Sequence, residues 1–250
     1  LSRKRYDLLF CILLTKKYEM IISIHQPNYI PWIGYFHKIA ISDIFVIFDD
    51  VQLPRGKDFV VRNLIKTEGG SKWLRVPVKN QSKMLPINQI EINNDLDWQS
   101  KHLNSLCANY QKTSFFTSYY HDIEKILNQN HRFLLNLNLD LIKLFVKILK
   151  IKTKIICSSE LNVSNSGTEK ILKIIQTLNG NKYVTGEGEG SKRYIEGKEI
   201  IFQKNNIEII FQKFKIPKYT QLFGEFIPNL SICDMLFNIG AEKTKKIIET

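Results

Sequence analysis

Paired cysteines are missing from this sequence. Its four cysteines, Cys11, Cys107, Cys157 and Cys233, stand far apart, so there is no C-x-x-C zinc or thiol-redox unit. They read as free thiols of a reducing compartment, which makes a cytoplasmic location the expectation. The five histidines, His25, His37, His102, His121 and His131, lack H-E-x-x-H spacing, and no protein-built metal site is expected. No apolar run reaches the ~18 to 20 residues of a membrane span, so membrane insertion is not expected. Internal repeats, low-complexity linkers and the Walker spacing G-x-x-x-x-G-K-[ST] are also absent. Acidic residues are the minority, 24 against 36 Lys and Arg, a formal net charge of +12. That excess invites a nucleic-acid reading. The lysines are spread rather than banded, in a chain crowded with Lys, Asn and Ile, which favours a solvated basic face over a dedicated polyanion site.

What is present is ample core material: 44% of 250 residues are hydrophobic. The chain opens with Leu1, and Met20 stands directly before the first strand-like run. Arg3 to Arg5 followed by Leu8 to Leu14 mimics a signal peptide, but the apolar stretch is short and no small-x-small site succeeds it. Residues 1–19 therefore read as a non-native or disordered extension. Residues 20–241 read as a single α/β domain with a mainly helical insertion near 96–150, and 242–250 as a basic C-terminal tail.

Met20 to Ile24 reads as a strand ending at His25. Pro27 and Pro31 stiffen the loop beyond it, and Pro31 suits the first residue of a helix, where a missing N–H costs nothing. Trp32, Tyr35, Phe36 and Ile39 recur at helical spacing. Ile44 to Phe48 is a second strand, ending in Asp49-Asp50. Strand, helix, strand predicts a right-handed crossover with parallel strands. The fold class is thus α/β, a Rossmann-like sheet with at least one parallel βαβ unit at the N-terminus. His25 and Asp49/Asp50 then share the carboxyl edge of the sheet, where open α/β sheets bind ligands. Further along, 59–66 and 72–78 suggest a hairpin. Helices are expected over 98–110, over much of 118–150, and after Ser166, with Ser or Thr as cap. Strands are expected at 155–157, 182–185 and 207–213, an irregular stretch at 217–228, and a last helix from Ser231, ended by Gly240.

Two readings stand for His25. It is a structural residue at a strand end, or a proton-transfer group whose tautomer and raised pKa are set by Asp49 or Asp50. One of the two aspartates is expected to cap the next turn instead. Gly186-Glu187-Gly188-Glu189-Gly190-Ser191-Lys192-Arg193-Tyr194 has alternating glycines whose amides can face an anion, with Lys192 and Arg193 adding charge. The alternative is a surface turn whose glutamates repel phosphate. No helix clearly opens after this loop, so it is not a Rossmann fingerprint. Arg62-Asn63 either grips a carboxylate or phosphate or is an exposed hairpin charge. Tyr219, Gln221, Asn229, Ser231, Asp234 and Asn238 form a polar C-terminal set with no evident local role.

Several of these segments carry a resemblance. I-H-Q-P-N-Y-I-P-W-I-G-Y-F-H-K-I-A at 24–40 and S-D-I-F-V-I-F-D-D-V-Q at 42–52 resemble the opening of the WbqC-like family. R-N-x-I-K at 62–66, W-L-R-V-P-V at 73–78, G-E-G-E-G-S-K-R-Y-I at 186–195, P-K-Y at 217–219 and F-I-P-N-L-S-I-C-D-M-L-F-N-x-G at 226–240 fit it too. The resemblance spans Met20 to Gly240. It implies a role in bacterial surface-polysaccharide, O-antigen lipopolysaccharide, synthesis. The implied reaction is transfer of an acyl or aminoacyl group, glycyl among them, to the amine of a nucleotide-linked amino sugar. The implied partners are that sugar and an acyl donor, with aminoacyl-tRNA as one candidate. No cofactor is specified. The resemblance assigns no catalytic residue, so the candidates rest on motif positions. His25, Asp49 and Asp50 are the catalytic candidates. Gln26, Asn28, Tyr29, Trp32, Tyr35, Arg62, Asn63, Gly186, Gly188, Gly190, Ser191, Lys192, Arg193 and Tyr194 are the substrate-binding candidates. Two alternatives stay open. A histidine loop after the first strand is similar in placement to HIGH-type ATP-dependent enzymes, although H-x-G-H and K-M-S-K-S are lacking. A basic tRNA-binding module would also use the charge.

Overall fold

A computed structural model describes residues 19–53, 58–82 and 84–250. The expected extension, apart from Glu19, lies outside the described residues.

The first strand, β1 (Ile21–His25), leads through a helix, α1 (Ile33–Ala40), to β2 (Ile44–Ile47). The two strands are parallel, with His25 opposite Ile47. Three more parallel strands complete the sheet: β5 (Lys154–Cys157), β6 (Lys182–Thr185) and β7 (Glu208–Phe211). The order is β5-β2-β1-β6-β7. The chain builds outwards from β1 in one direction, then returns and builds in the other. Such a Rossmann-like, doubly wound sheet has its switch point between β1 and β6. There the connections leave towards opposite faces and a crevice opens at the carboxyl edge.

Period-two patterning explains the two-sided burial. Phe45 and Ile47 of β2 enter one core with Ile33, Phe36 and Ile39 of α1, while Val46 and Phe48 enter the other with Ile22 and Ile24. The first core also takes α2 (Trp98–Tyr110), α3 (Phe116–Leu127), α4 (Leu134–Ile148) and α8 (Ile232–Ile248). The second takes α5 (Gly167–Thr177) and α7 (Glu199–Lys204). The expected hairpin is β3 (Arg62–Thr67) against β4 (Gly70–Arg75), antiparallel.

The structure differs from the sequence-based expectations in several places. A helix, α6 (Glu189–Ile195), opens inside the glycine-rich stretch expected as a loop, with Gly188 in the cap position, so that residues 190–194 are helical. Pro31 precedes the first helix rather than beginning it, and Trp32 holds the cap position. Ser166 makes no side-chain cap, whereas the Ser231 hydroxyl accepts from the Cys233 amide at 3.1 Å. Gly240 bends the last helix without ending it. Its φ is +76°, and a Cβ there would meet the Phe115 ring at 2.8 Å. Helix resumes to Ile248, with Thr244 and Ile248 turned into the core.

Candidate functional site

The proline loop after β1 is fixed by hydrogen bonds from distant elements. Asn138 donates to the carbonyls of Pro27 and Val60, each at 2.8 Å. Asn63 donates to the carbonyls of Tyr29 and Ile30, at 3.2 and 2.9 Å. The Tyr35 hydroxyl donates to the Gln26 carbonyl at 3.2 Å. Ile30 is held at φ +34°, a strained conformation for a β-branched residue that persists only where surroundings over-determine it.

This rigid loop forms one wall of a cleft of about 960 Å³ at the switch point. The cleft receives His25, Gln26, Asn28, Trp32 and Tyr35 from the β1 side. From the β6 side it receives Gly186, Gly188, Gly190, Ser191, Arg193 and Tyr194. Phe48, Phe59 and Phe214 supply further apolar wall. Gln212, just past β7, donates to the Gly34 carbonyl at 2.8 Å and to His37 Nδ1 at 2.7 Å, which fixes the irregular segment that carries Phe214.

Six candidates fall elsewhere. Asp49 and Asp50 do not hold His25. Asp49 accepts from the hydroxyls of Ser158 and Ser159, at 3.0 and 2.6 Å, and from the Ser159 amide at 3.0 Å. Asp50 pairs with Lys170 at 2.7 Å. Both carboxylates thus turn towards β5 and α5, away from β6, and tie the ends of β2 and β5 to the helix layer. Tyr29 is buried, its hydroxyl 2.8 Å from His102 Nδ1. Asn63 is used up on the proline loop. Arg62 lies over the Trp73 ring at 4.5 Å, and its Nε donates to the Asp58 carbonyl at 3.4 Å. Lys192 is exposed and does not line the cleft.

The structure also adds residues. Lys38 of α1 lines the cleft, yet it is only 3% exposed. Its ammonium makes no hydrogen bond or ion pair among the described residues, and burial lowers its pKa to about 8. Its signal was readable in part: Lys38 lies three residues after Tyr35 and four after Gly34, on the helix face directed inward. Asp58 also lines the cleft, its Oδ1 accepting from the amides of Val60 and Val61, each at 3.1 Å. Tyr183 comes in from β6.

His25 sits at the junction of these parts. Its ring meets Tyr35 edge-on at 4.9 Å, and its Nδ1 is buried without a hydrogen-bond partner among the described residues. The residue as a whole is partly exposed, so the ring reaches the cleft. Burial and then the Lys38 charge lower its pKa to about 3, with the Gln26 backbone pulling weakly the other way. The expected rise in pKa is therefore reversed, because a buried ring beside a cation lacks the carboxylate that would raise it. In the free protein His25 is a neutral imidazole.

Trp32 owes its place to a glycine. A Cβ on Gly34 would stand 2.2 Å from the Trp32 ring, which lies across that residue. Gly34→Ala is expected to push the indole out of its seat and to destabilise the fold by about 1–3 kcal/mol. Tryptophan emission and a denaturant melt read both effects. Unchanged emission and midpoint would show that the ring does not depend on Gly34.

Parallel strands in the order β5-β2-β1-β6-β7, with a polar, aromatic-walled cleft at the reversal, define a Rossmann-like α/β protein with an open cleft at its switch point, the place where sheets of this kind bind ligands. Residues 26–246 match the WbqC-like protein family. The chain belongs to that family. It is similar to the uncharacterized protein Rv1507c of Mycobacterium tuberculosis (strain ATCC 25618 / H37Rv), 32% identical over 223 residues, which cover 88% of this chain and 94% of the relative. No solved structure matches it. No helix among the described residues is long and apolar enough to cross a membrane.

Proposed function

We propose that the protein transfers an acyl or aminoacyl group, glycyl among them, to the amine of a nucleotide-linked amino sugar, in bacterial surface-polysaccharide synthesis. One observation carries this reading: the switch-point cleft is lined by a neutral imidazole with Lys38 beside it, by a second cation, Arg193, and by aromatic walls. Sugar-amine acylation needs those three features. An anionic nucleotide needs a cation, a ring or base needs an apolar face, and an attacking amine must lose a proton.

In this mechanism the sugar nitrogen attacks the acyl carbon of the donor. The new C–N bond forms, and the bond from that carbon to the donor's leaving group breaks. His25 takes the proton from the nitrogen and passes it to the leaving group. The aromatic faces are Trp32, Phe59 and Phe214, since Tyr35 is too deeply buried to stack on a ligand. Arg193 lies over the Tyr194 ring at 4.6 Å and is positioned at the cleft wall.

The test is turnover of UDP- and dTDP-linked amino sugars with acyl-coenzyme A and aminoacyl-tRNA donors. His25→Ala is expected to lower turnover by about 100- to 10,000-fold with an unchanged circular dichroism spectrum. Full activity in that variant would remove His25 from the reaction. Release of AMP and pyrophosphate from ATP without any sugar would replace transfer by carboxylate activation.

A further inference from the structure

Lys38 presents an energetic problem that the fold alone does not solve. An ammonium taken out of water is costly unless it is paired. The Lys38 ammonium has no partner among the described residues, and no carboxylate supports its charge. The titratable and charged groups around the cleft are His25 at the end of β1, Tyr35 on α1, Asp58 before β3, Tyr183 on β6, and Glu187, Glu189, Arg193 and Tyr194 after β6. Asp58 has one carboxylate oxygen committed to backbone amides, and the two glutamates are exposed at the rim. A buried cation aimed into an open cleft, beside an imidazole with an unpartnered buried nitrogen, is a site short of one anion.

We propose that Lys38 is the counter-ion of an anionic oxygen on the bound ligand, a phosphoryl or carboxylate group seated on the inner wall of the cleft between α1 and the end of β1. This deepens the proposed transferase reading by naming the residue that fixes the substrate's charge. It replaces the exposed Lys192 in that role. It depends on the cleft binding a ligand and not on any turnover.

Binding is then linked to proton uptake. Free Lys38 titrates at about 8. An anion beside it favours the charged form and raises that value. Binding at about pH 8 therefore takes up about half a proton per ligand, and binding at about pH 6.5 takes up almost none, because Lys38 is already charged. Neutralising Lys38 also removes its repulsion of a proton on His25. His25 becomes a better proton acceptor once the ligand is seated.

The experiment is calorimetric titration of the wild-type protein with UDP-glucose, whose diphosphate is a diester with no terminal phosphate titrating in this range, and, separately, with acetate, at both pH values in buffers of different ionisation enthalpy. At least one probe is expected to bind, with buffer-dependent heat at the higher pH alone. UDP-glucose binding without acetate binding assigns a phosphoryl group, and the reverse assigns a carboxylate. Lys38→Met is expected to weaken that binding on the order of 100-fold while raising the melting temperature of the free protein, because it removes an unpaired buried charge. Lys38→Arg keeps the charge and is expected to bind within tenfold or so of wild type without proton uptake, since guanidinium does not titrate here. Failure of both probes to bind, unchanged affinity in Lys38→Met, or a lowered melting temperature in that variant would each overturn the assignment. Should Lys38→Met not fold, buffer-dependent heat persisting in Lys38→Arg would do so. Loss of turnover with these binding results intact would reject the transfer chemistry and leave the anion site standing.

Discussion

Between about pH 6.5 and 4.5 the protein is expected to lose roughly 4 kcal/mol of stability to two histidines held neutral, His25 half-buried at the cleft and His102 buried. His25 and His102 have pKa values lowered to about 3 and about 4, in both cases chiefly by burial. Their unfolded value is 6.5. Above that value both states are neutral and no penalty exists. As pH falls below it, the unfolded chain takes up protons that the folded chain refuses, so stability falls with pH. At about pH 4.5 each histidine contributes roughly 2 to 3 kcal/mol of this loss. Domains have a total stability of about 5–15 kcal/mol, so the effect is large enough to approach unfolding. Urea melts at about pH 7 and 4.5 measure it. His102→Asn should remove about half the pH dependence while losing the bond to Tyr29. Equal midpoints at the two pH values would mean that neither ring is held neutral.

Asp234→Ala is expected to cost about 4 kcal/mol and to loosen the segment between β7 and α8. Asp234 is fully buried in α8. It accepts from the hydroxyls of Tyr110 and Tyr219, at 2.9 and 2.6 Å, and from the Gln221 amide at 2.9 Å. Burial raises its pKa against the opposing pull of these donors. The network continues outward, since Tyr110 also accepts from the Lys66 amide at 2.8 Å, and Lys66 Nζ donates to the Gln221 side chain at 3.1 Å. Removing the carboxylate leaves the Tyr110 and Tyr219 hydroxyls without their acceptor, each worth about 1–3 kcal/mol when unsatisfied, whereas the Gln221 amide keeps the Ile227 carbonyl and the Tyr219 hydroxyl. The irregular stretch 217–228 is anchored through Tyr219 and Gln221, so limited proteolysis should cut the variant there and leave wild type intact. A midpoint within about 0.5 kcal/mol of wild type would show that the network adds nothing net. Gln212 and Phe214 line the cleft just upstream of this anchor, so the same variant should bind cleft ligands more weakly.

The polar C-terminal set had no evident meaning in the sequence because its partners are remote. Asp234 meets Tyr110 across 124 positions of chain. The same limit explains the aspartates. Placing Asp49 and Asp50 at the carboxyl edge beside His25 follows from two parallel strands alone, but their side chains are claimed by Ser158, Ser159 and Lys170, over 100 residues away. Strand order decided which side of β1 holds the cleft: β6, not β2, supplies the opposite wall. Lys38 is hidden from local sequence for a related reason. A lysine near the end of a helix reads as solvated, and only the packing of α1 beneath the cleft makes it an unpaired buried cation.

Local pattern did settle the βαβ unit, since alternation in Ile44 to Phe48 and helical spacing from Trp32 to Ile39 each arise within a few residues. It also settled the stiffness of the loop, which prolines and aromatics impose wherever it lies, and it brought out the two segments, 25–35 and 186–194, that meet in the cleft. Their meeting, the neutral state of His25, and the division of candidates into cleft and scaffold were decided by tertiary structure. Burial and hydrogen-bond partnership are properties of elements brought together from distant parts of the chain, and no local window of residues contains them.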